Sequence, residues 1–224
     1  MMPDKKESNK KIILGTLRDV ERVGIEGLVD FLENKSDFFD APASTKYHSS
    51  YQGGLAAHSL EVYNLLQYKN IAFDLGLSFD SVAITALLHD ICKCNFYTKE
   101  MKSVLKGKKL VTKNKKENSG QWVQVEEMVN DWQDEEVYTV KDTYPIGHGE
   151  KSVIQVLKYI ALTDKEVSMI RWHMGFTEPQ ELHRTLNNAV DLYPEIIALH
   201  TADLEASYYL ESREVDTKND TSND

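Results

Sequence analysis

Apolar positions recur at three- and four-residue intervals along most of this chain, as in Ile12, Ile13, Leu17 and Val20, then Leu55, Val62, Leu65 and Leu66, then Val82, Ala86 and Leu87. Such spacing gathers apolar side chains on one helical face. It predicts helices near 9–33 (broken around Gly24), 55–74, 80–93, 149–161, 164–174 and 187–211. Thr163 followed by Glu166 fits a capping box and supports a helix start there. Breaks are expected at the Ser-, Asp- and Pro-rich stretch from Asn34 to Tyr51, at Gly76 to Ser78 and at Pro179. The segment 95–146 departs from this period: Gln121 to Val125 and Glu136 to Val140 carry alternating and β-branched residues. The expected fold class is all-α, a helical bundle with a small β-hairpin insertion at about residues 95–146.

A chain of 224 residues with 41% hydrophobic content has enough apolar material for one packed domain without cross-links. That domain is expected over 1–213, with the polar stretch 214–224 as a disordered tail. No run of about 18 apolar residues marks a membrane span, and the opening MMPDKKESNKK lacks the apolar stretch of a secretory signal. A cytoplasmic location is the default expectation. Cys92 and Cys94, the only cysteines, are too close to pair well and too few for a zinc knuckle, so they read as reduced thiols.

The net charge of −10 disfavours a nucleic-acid coat protein and binding to long duplex DNA, which call for a basic surface. The average hides one exception. From Lys99 to Lys116 there are eight lysines and one acid, Glu100, so that stretch is locally +7 and the remainder −17. It reads equally well as a basic flap that attracts an anionic substrate or as a solvated loop that keeps the protein soluble.

Four polar residues fall on the apolar faces of their helices. His58 follows Leu55 by three and precedes Val62 by four; His89 follows Ala86 by three; His173 follows Met169 by four; Asp203 follows Leu199 by four. A single inward histidine is usually a hydrogen-bonded core residue. An inward carboxylate is costlier and calls for a cation or strong donors. Imidazoles and carboxylates delivered from separate helices to one interior point are a recurrent way to hold metal ions. His89 and Asp90, adjacent at a helix end, can both be aimed into one cavity.

The order His58, then His89-Asp90, then Asp203, in the strings GGLAAHSLEV, ALLHDICK and LHTADLEAS, resembles the HD-domain superfamily of metal-dependent phosphohydrolases over roughly residues 50–210. His148 in GHGEKS and His173 in IRWHMG resemble the two added ligands of its binuclear-metal branch. The resemblance implies one ion on His58, His89, Asp90 and Asp203, and a second on Asp90, His148 and His173, with Asp90 and a hydroxide bridging. Histidine-rich ligation favours manganese or iron over magnesium, with nickel, cobalt and zinc also compatible.

Further cations are expected to meet phosphate. Lys93 lies three residues beyond Asp90, in the HDxxK arrangement common in the superfamily, and Lys151 one turn past His148. The helix opening at Gly149 adds free backbone N–H groups. Arg171 reads as structural, His200 as supporting or packing, and His183 as an exposed helix start. Tyr47 and His48 either line the site or belong to a loop without a role, and the hairpin tryptophans either stack on a base or pack locally.

The expected activity is that of a phosphohydrolase or phosphodiesterase on a small nucleotide or single-stranded oligonucleotide, with a metal-activated hydroxide as nucleophile, Asp90 and Lys93 as catalytic residues, and Lys93 and Lys151 as substrate-binding residues. Two alternatives come from other classes: a di-iron oxygenase with the same ligand order, and a non-catalytic nucleotide-binding module. Filled ligand positions speak against the last.

Overall fold

The computed structural model describes residues 3–45 and 49–210. Its helices are α1 (Pro3–Arg18), α2 (Ile25–Asp30), α3 (Gly54–Ala72), α4 (Phe79–Leu88), α5 (His148–Leu157), α6 (Asp164–Arg171), α7 (His183–Leu192) and α8 (Glu195–Glu205). Strands β1 (Tyr97–Lys116) and β2 (Trp122–Val140) lie between α4 and α5 and form a two-stranded sheet. The polar tail expected at 214–224, together with Tyr47 and His48, lies outside the described residues.

The all-α expectation is corrected by these strands. They run for 20 and 19 residues, and strand amounts to 19% of the structure. The insertion is therefore a major element rather than a small hairpin on a helical body. The hairpin itself was expected within 95–146, but its weight was understated because β1 is rich in lysine and offers few alternating apolar residues.

The expected break near Gly24 is present, with that residue at φ 94° ahead of α2. The helix expected over 187–211 is instead two, α7 and α8, separated at Pro194. Proline lacks the N–H that would continue α7 and is favoured just before a new helix starts. The Thr163–Glu166 capping box is formed, with both reciprocal hydrogen bonds.

The chain divides into two compact units, the helices forming one and Thr98–Thr139 the other. In the helical unit, α3 packs on α4 and α8, α5 on α6, and α6 on α4 and α8. Its core includes Ile13, Leu17, Leu28, Phe38, Leu55, Leu66, Ile84, Leu87, Leu88 and Met169, all fully buried. One buried ion pair ties three elements together. Arg22, between α1 and α2, forks onto both carboxylate oxygens of Glu166 on α6 at 2.9 and 3.0 Å, and Ser81 of α4 donates to the same carboxylate at 2.9 Å. Such a pair fixes helix register as well as contributing energy.

Candidate metal centre

Five elements deliver six side chains to one place. His58 comes from the second turn of α3 and Asp203 from α8; His148 opens α5, and His173 lies two residues past α6. His89 and Asp90 sit where α4 ends. His89 keeps helical angles while Asp90 turns to φ −107°, ψ 16°, and a short 3-10 turn follows at Ile91–Lys93. That change of direction is why two consecutive residues reach the same cavity. His58, His89 and His173 are fully buried and Asp90 is 3% exposed, whereas Asp203 and His148 keep 18% and 32% of their side chains open.

Among the described residues, candidate ligand atoms within 4.8 Å of one another form three groups: His58, His89 and Asp203; His89, Asp90 and His173; and Asp90, Cys92 and His148. Asp90 divides its oxygens between them. Its Oδ1 lies 2.6 Å from His148 Nε2 and 3.6 Å from His173 Nε2. Its Oδ2 lies 3.5 Å from His89 Nε2, 3.7 Å from His58 Nε2 and 2.6 Å from Lys93 Nζ. His58 Nε2 also meets Asp203 Oδ1 at 3.2 Å.

The hydrogen bonding leaves these nitrogens suited to a cation. His89 Nδ1 donates to the Ala86 carbonyl and His173 Nδ1 to the Ile170 carbonyl, each at 2.7 Å. A neutral imidazole with its proton on Nδ1 presents a lone pair at Nε2. The Nε2 of His173 is buried and has no hydrogen-bond partner, while that of His89 faces His58 Nε2 at 3.2 Å. A buried lone pair without a donor costs about 1–3 kcal/mol. A divalent ion would satisfy it. The donor set of four imidazoles and two carboxylates suits first-row transition ions better than magnesium.

Two glycines allow the close approach. A Cβ on Gly149 would stand 2.1 Å from the Arg171 carbonyl oxygen, so only glycine lets the start of α5 lie against the end of α6. The His148 and His173 rings are thereby brought to 5.2 Å between centroids. Gly175, at φ 53°, passes close beneath the His200 ring, where a Cβ would stand 2.4 Å away. His200 Nδ1 donates to the His173 carbonyl at 2.8 Å and so braces the backbone of a candidate ligand.

Charge is balanced inside the cluster. Burial alone would raise the Asp90 carboxyl, yet Lys93 and the imidazoles of His89 and His148 hold it well below the usual range. Asp203 is lowered likewise, burial being outweighed by the hydrogen bond from His58 and by the neighbouring imidazoles. For His148, burial favours the neutral ring, but the Asp90 carboxylate prevails and holds its pKa up at about 9. Lys93 is held fully charged because the attraction of Asp90 exceeds its desolvation.

Sequence reasoning overlooked one participant. Cys92, read only as a reduced thiol, has its Sγ 3.3 Å from His148 Nδ1. Its place two residues beyond Asp90 was the only signal in the chain. Both cysteines are free thiols. The structure does not bring Lys151 into the six: its ammonium pairs with both oxygens of Asp142 at 2.8 Å and lies over the Phe96 ring. Arg171 pairs with Glu150 and Glu178 and stacks on Trp172, a structural set of contacts. His183 opens α7, is only half exposed, and hydrogen-bonds to the Glu178 carbonyl.

The HD-domain family model matches residues 55–203, more than half of the chain, from the first turn of α3 to Asp203 itself. No curated protein and no solved structure matches. Among the described residues no helix is long and apolar enough to cross a membrane.

Proposed function

This chain belongs to the HD-domain family of metal-dependent phosphohydrolases, and on that premise we propose that it hydrolyses a phosphate ester of a nucleotide or short oligonucleotide at a two-ion centre. The observation that carries the proposal is the orphaned Nε2 of His173, buried beside Asp90 with its Nδ1 already committed to the Ile170 carbonyl.

His58, His89, Asp90 and Asp203 would hold one divalent transition ion, and Asp90, His148 and His173 the other, with the two oxygens of Asp90 shared between them. When bound, such ions supply Lewis acidity, lowering the pKa of water and offsetting charge on phosphoryl oxygens. Manganese or iron fits the imidazole-rich donors best.

The chain's own groups account for positioning. Lys93 keeps its ammonium within 2.6 Å of Asp90, at 14% exposure, where it can meet a non-bridging phosphoryl oxygen without leaving the wall of the site. Carbonyls of Ala86 and Ile170 hold the His89 and His173 rings in the tautomer that offers Nε2, as outer partners of metal ligands do. Cys92, with its sulfur 3.3 Å from Nδ1, is the nearby partner of the His148 ring. Lys151 serves as a second phosphate contact only when its pair with Asp142 opens, which makes Lys93 the stronger of the two candidates. The acidic balance of the chain, −10, favours a small or single-stranded substrate over long duplex DNA.

The test is a panel of nucleoside phosphates, cyclic dinucleotides, short oligonucleotides and bis(p-nitrophenyl) phosphate, assayed anaerobically with manganese- or iron-loaded protein. Metal-dependent release of product that is lost in Asp90→Asn supports the proposal. Oxygen consumption by ferrous protein without hydrolysis would replace it with an oxygenase.

A further inference from the structure

The ribbon of β1 and β2 has two unlike faces. Side chains alternate along a strand, and residues that touch across a ribbon share a face. Thr139 meets Thr98 at 3.0 Å, Glu135 meets Lys106 at 2.6 Å, Asp131 meets Lys109 at 2.7 Å and Glu127 meets Lys113 at 3.1 Å, so the odd positions of β2 share one face. Asp134 with Ser103, and Glu136 with Lys99 at 2.8 Å, place the even positions on the other. The partner strand changes parity between Lys106 and Lys109, at Gly107, whose φ of 127° fits an extra residue in the strand.

With that register, the odd face carries Val123, Val125, Val129 and Val137, all half-buried between cross-strand ion pairs. The even face gathers Met101, Leu105, Leu110, Trp122, Met128 and Trp132, which are between 47% and 66% exposed. A long two-stranded ribbon is marginal in water unless one face is covered, and large exposed apolar side chains gathered on one face mark an interaction site.

Charge identifies the kind of partner. The lysine run of β1 is answered by acids on the return strand, so residues 98–139 hold eight lysines and eight acids and are neutral. That removes the field a nucleic acid would need. The exposed face itself carries Lys99, Lys108 and Lys116 against Glu126, Asp134 and Glu136, a balanced set that is complementary to itself. At about 3.3 Å per residue the ribbon is about 65 Å long, and with a width of about 10 Å it offers about 650 Å². Two such faces bury about 1,300 Å², within the range of a specific interface. The apolar residues are spread from Met101 near the base to Trp122 near the turn, so a partner of similar length covers them, as a second ribbon does.

We propose that the Met101–Trp132 face of the ribbon is a homodimer interface, in which the ribbons of two copies pack face to face. Sedimentation velocity on the full chain at micromolar concentration tests this. The expected result is a dimer that Trp132→Lys and Met128→Lys each weaken about thirtyfold or more, while Gln133→Lys on the opposite face leaves it intact. Circular dichroism checks that each variant is folded, and Leu105→Lys stands in for either that is not. A monomeric parent protein, a dimer that survives the even-face variants, or equal loss in Gln133→Lys would overturn the proposal. None of these outcomes depends on the metal centre.

Discussion

Cys92 and Asp90 both meet the His148 ring: the thiol sulfur is 3.3 Å from Nδ1 and 3.8 Å from Nε2, and the carboxylate is 2.6 Å from Nε2. The sulfur is nearer Nδ1, the nitrogen that Asp90 does not contact, and so acts as a partner of the ring beside the carboxylate. Outer partners of this kind are worth about 10–100-fold in metal affinity. Cys92→Ala is therefore expected to weaken the second ion by about tenfold while the first stays bound, and Cys92→Ser, which still accepts a hydrogen bond, to lose less. Cobalt-loaded protein reads the mode of action: no sulfur-to-cobalt charge-transfer band is expected, and a strong one would make Cys92 a direct ligand instead.

Gly149 gives a second handle on the same half of the site. Because a Cβ there would collide with the Arg171 carbonyl, Gly149→Ala must push α5 away from α6. Overpacking of this sort costs about 1–3 kcal/mol. The expected outcome is a folded protein with a lower melting temperature that binds one ion tightly and the second poorly, read by metal titration. Unchanged binding of both ions would show that the α5–α6 contact does not set the ligand geometry.

Lys93 separates substrate binding from metal binding. Lys93→Ala is expected to keep its metal content yet lose about 100-fold in kcat/KM on a phosphate ester, as for loss of a single charge-stabilising group. Lys93→Arg should restore little, since a planar guanidinium does not replace a compact ammonium in this tight position. Metal loss in Lys93→Ala would instead assign the lysine to charge balance at Asp90.

Away from the centre, the Arg22–Glu166 pair links stability to pH. Burial raises the Glu166 carboxyl, but the Arg22 hydrogen bonds and those from Thr163 and Ser81 prevail, and the folded value lies below the ordinary 4.5. The contribution is thus complete above pH 4.5 and is lost as pH falls through the folded value. Glu166→Gln is expected to cost about 2–4 kcal/mol at neutral pH. Urea denaturation at several pH values should show the gap between parent and variant narrowing in acid, and a constant gap would assign the effect to packing.

Much of this was written in local patterns. His58, His89, His173 and Asp203 were legible as inward residues because helical period alone tells which face a side chain takes, and the HD pair with its flanking strings gave the order of candidate ligands. Contacts between elements distant in sequence were not legible. The sulfur of Cys92 reaches His148 across 56 residues; Lys151 pairs with Asp142 only nine residues away, but the irregular stretch between β2 and α5 offers no period from which to read that contact. The length of the ribbon escaped for a different reason: β1 is stabilised by lysines that meet acids on β2, and cross-strand ion pairs leave no apolar alternation to read. Pro194 was not read as a break, since apolar spacing continues on either side of it.

The central claim is tested most directly by titrating metal-free protein with manganese(II) and counting bound ions by electron paramagnetic resonance. About two equivalents per chain are expected, with His173→Ala keeping about one and Asp90→Ala binding neither tightly. Absence of stoichiometric binding by the parent protein, or two ions still bound in both variants, would contradict a centre built on these six side chains.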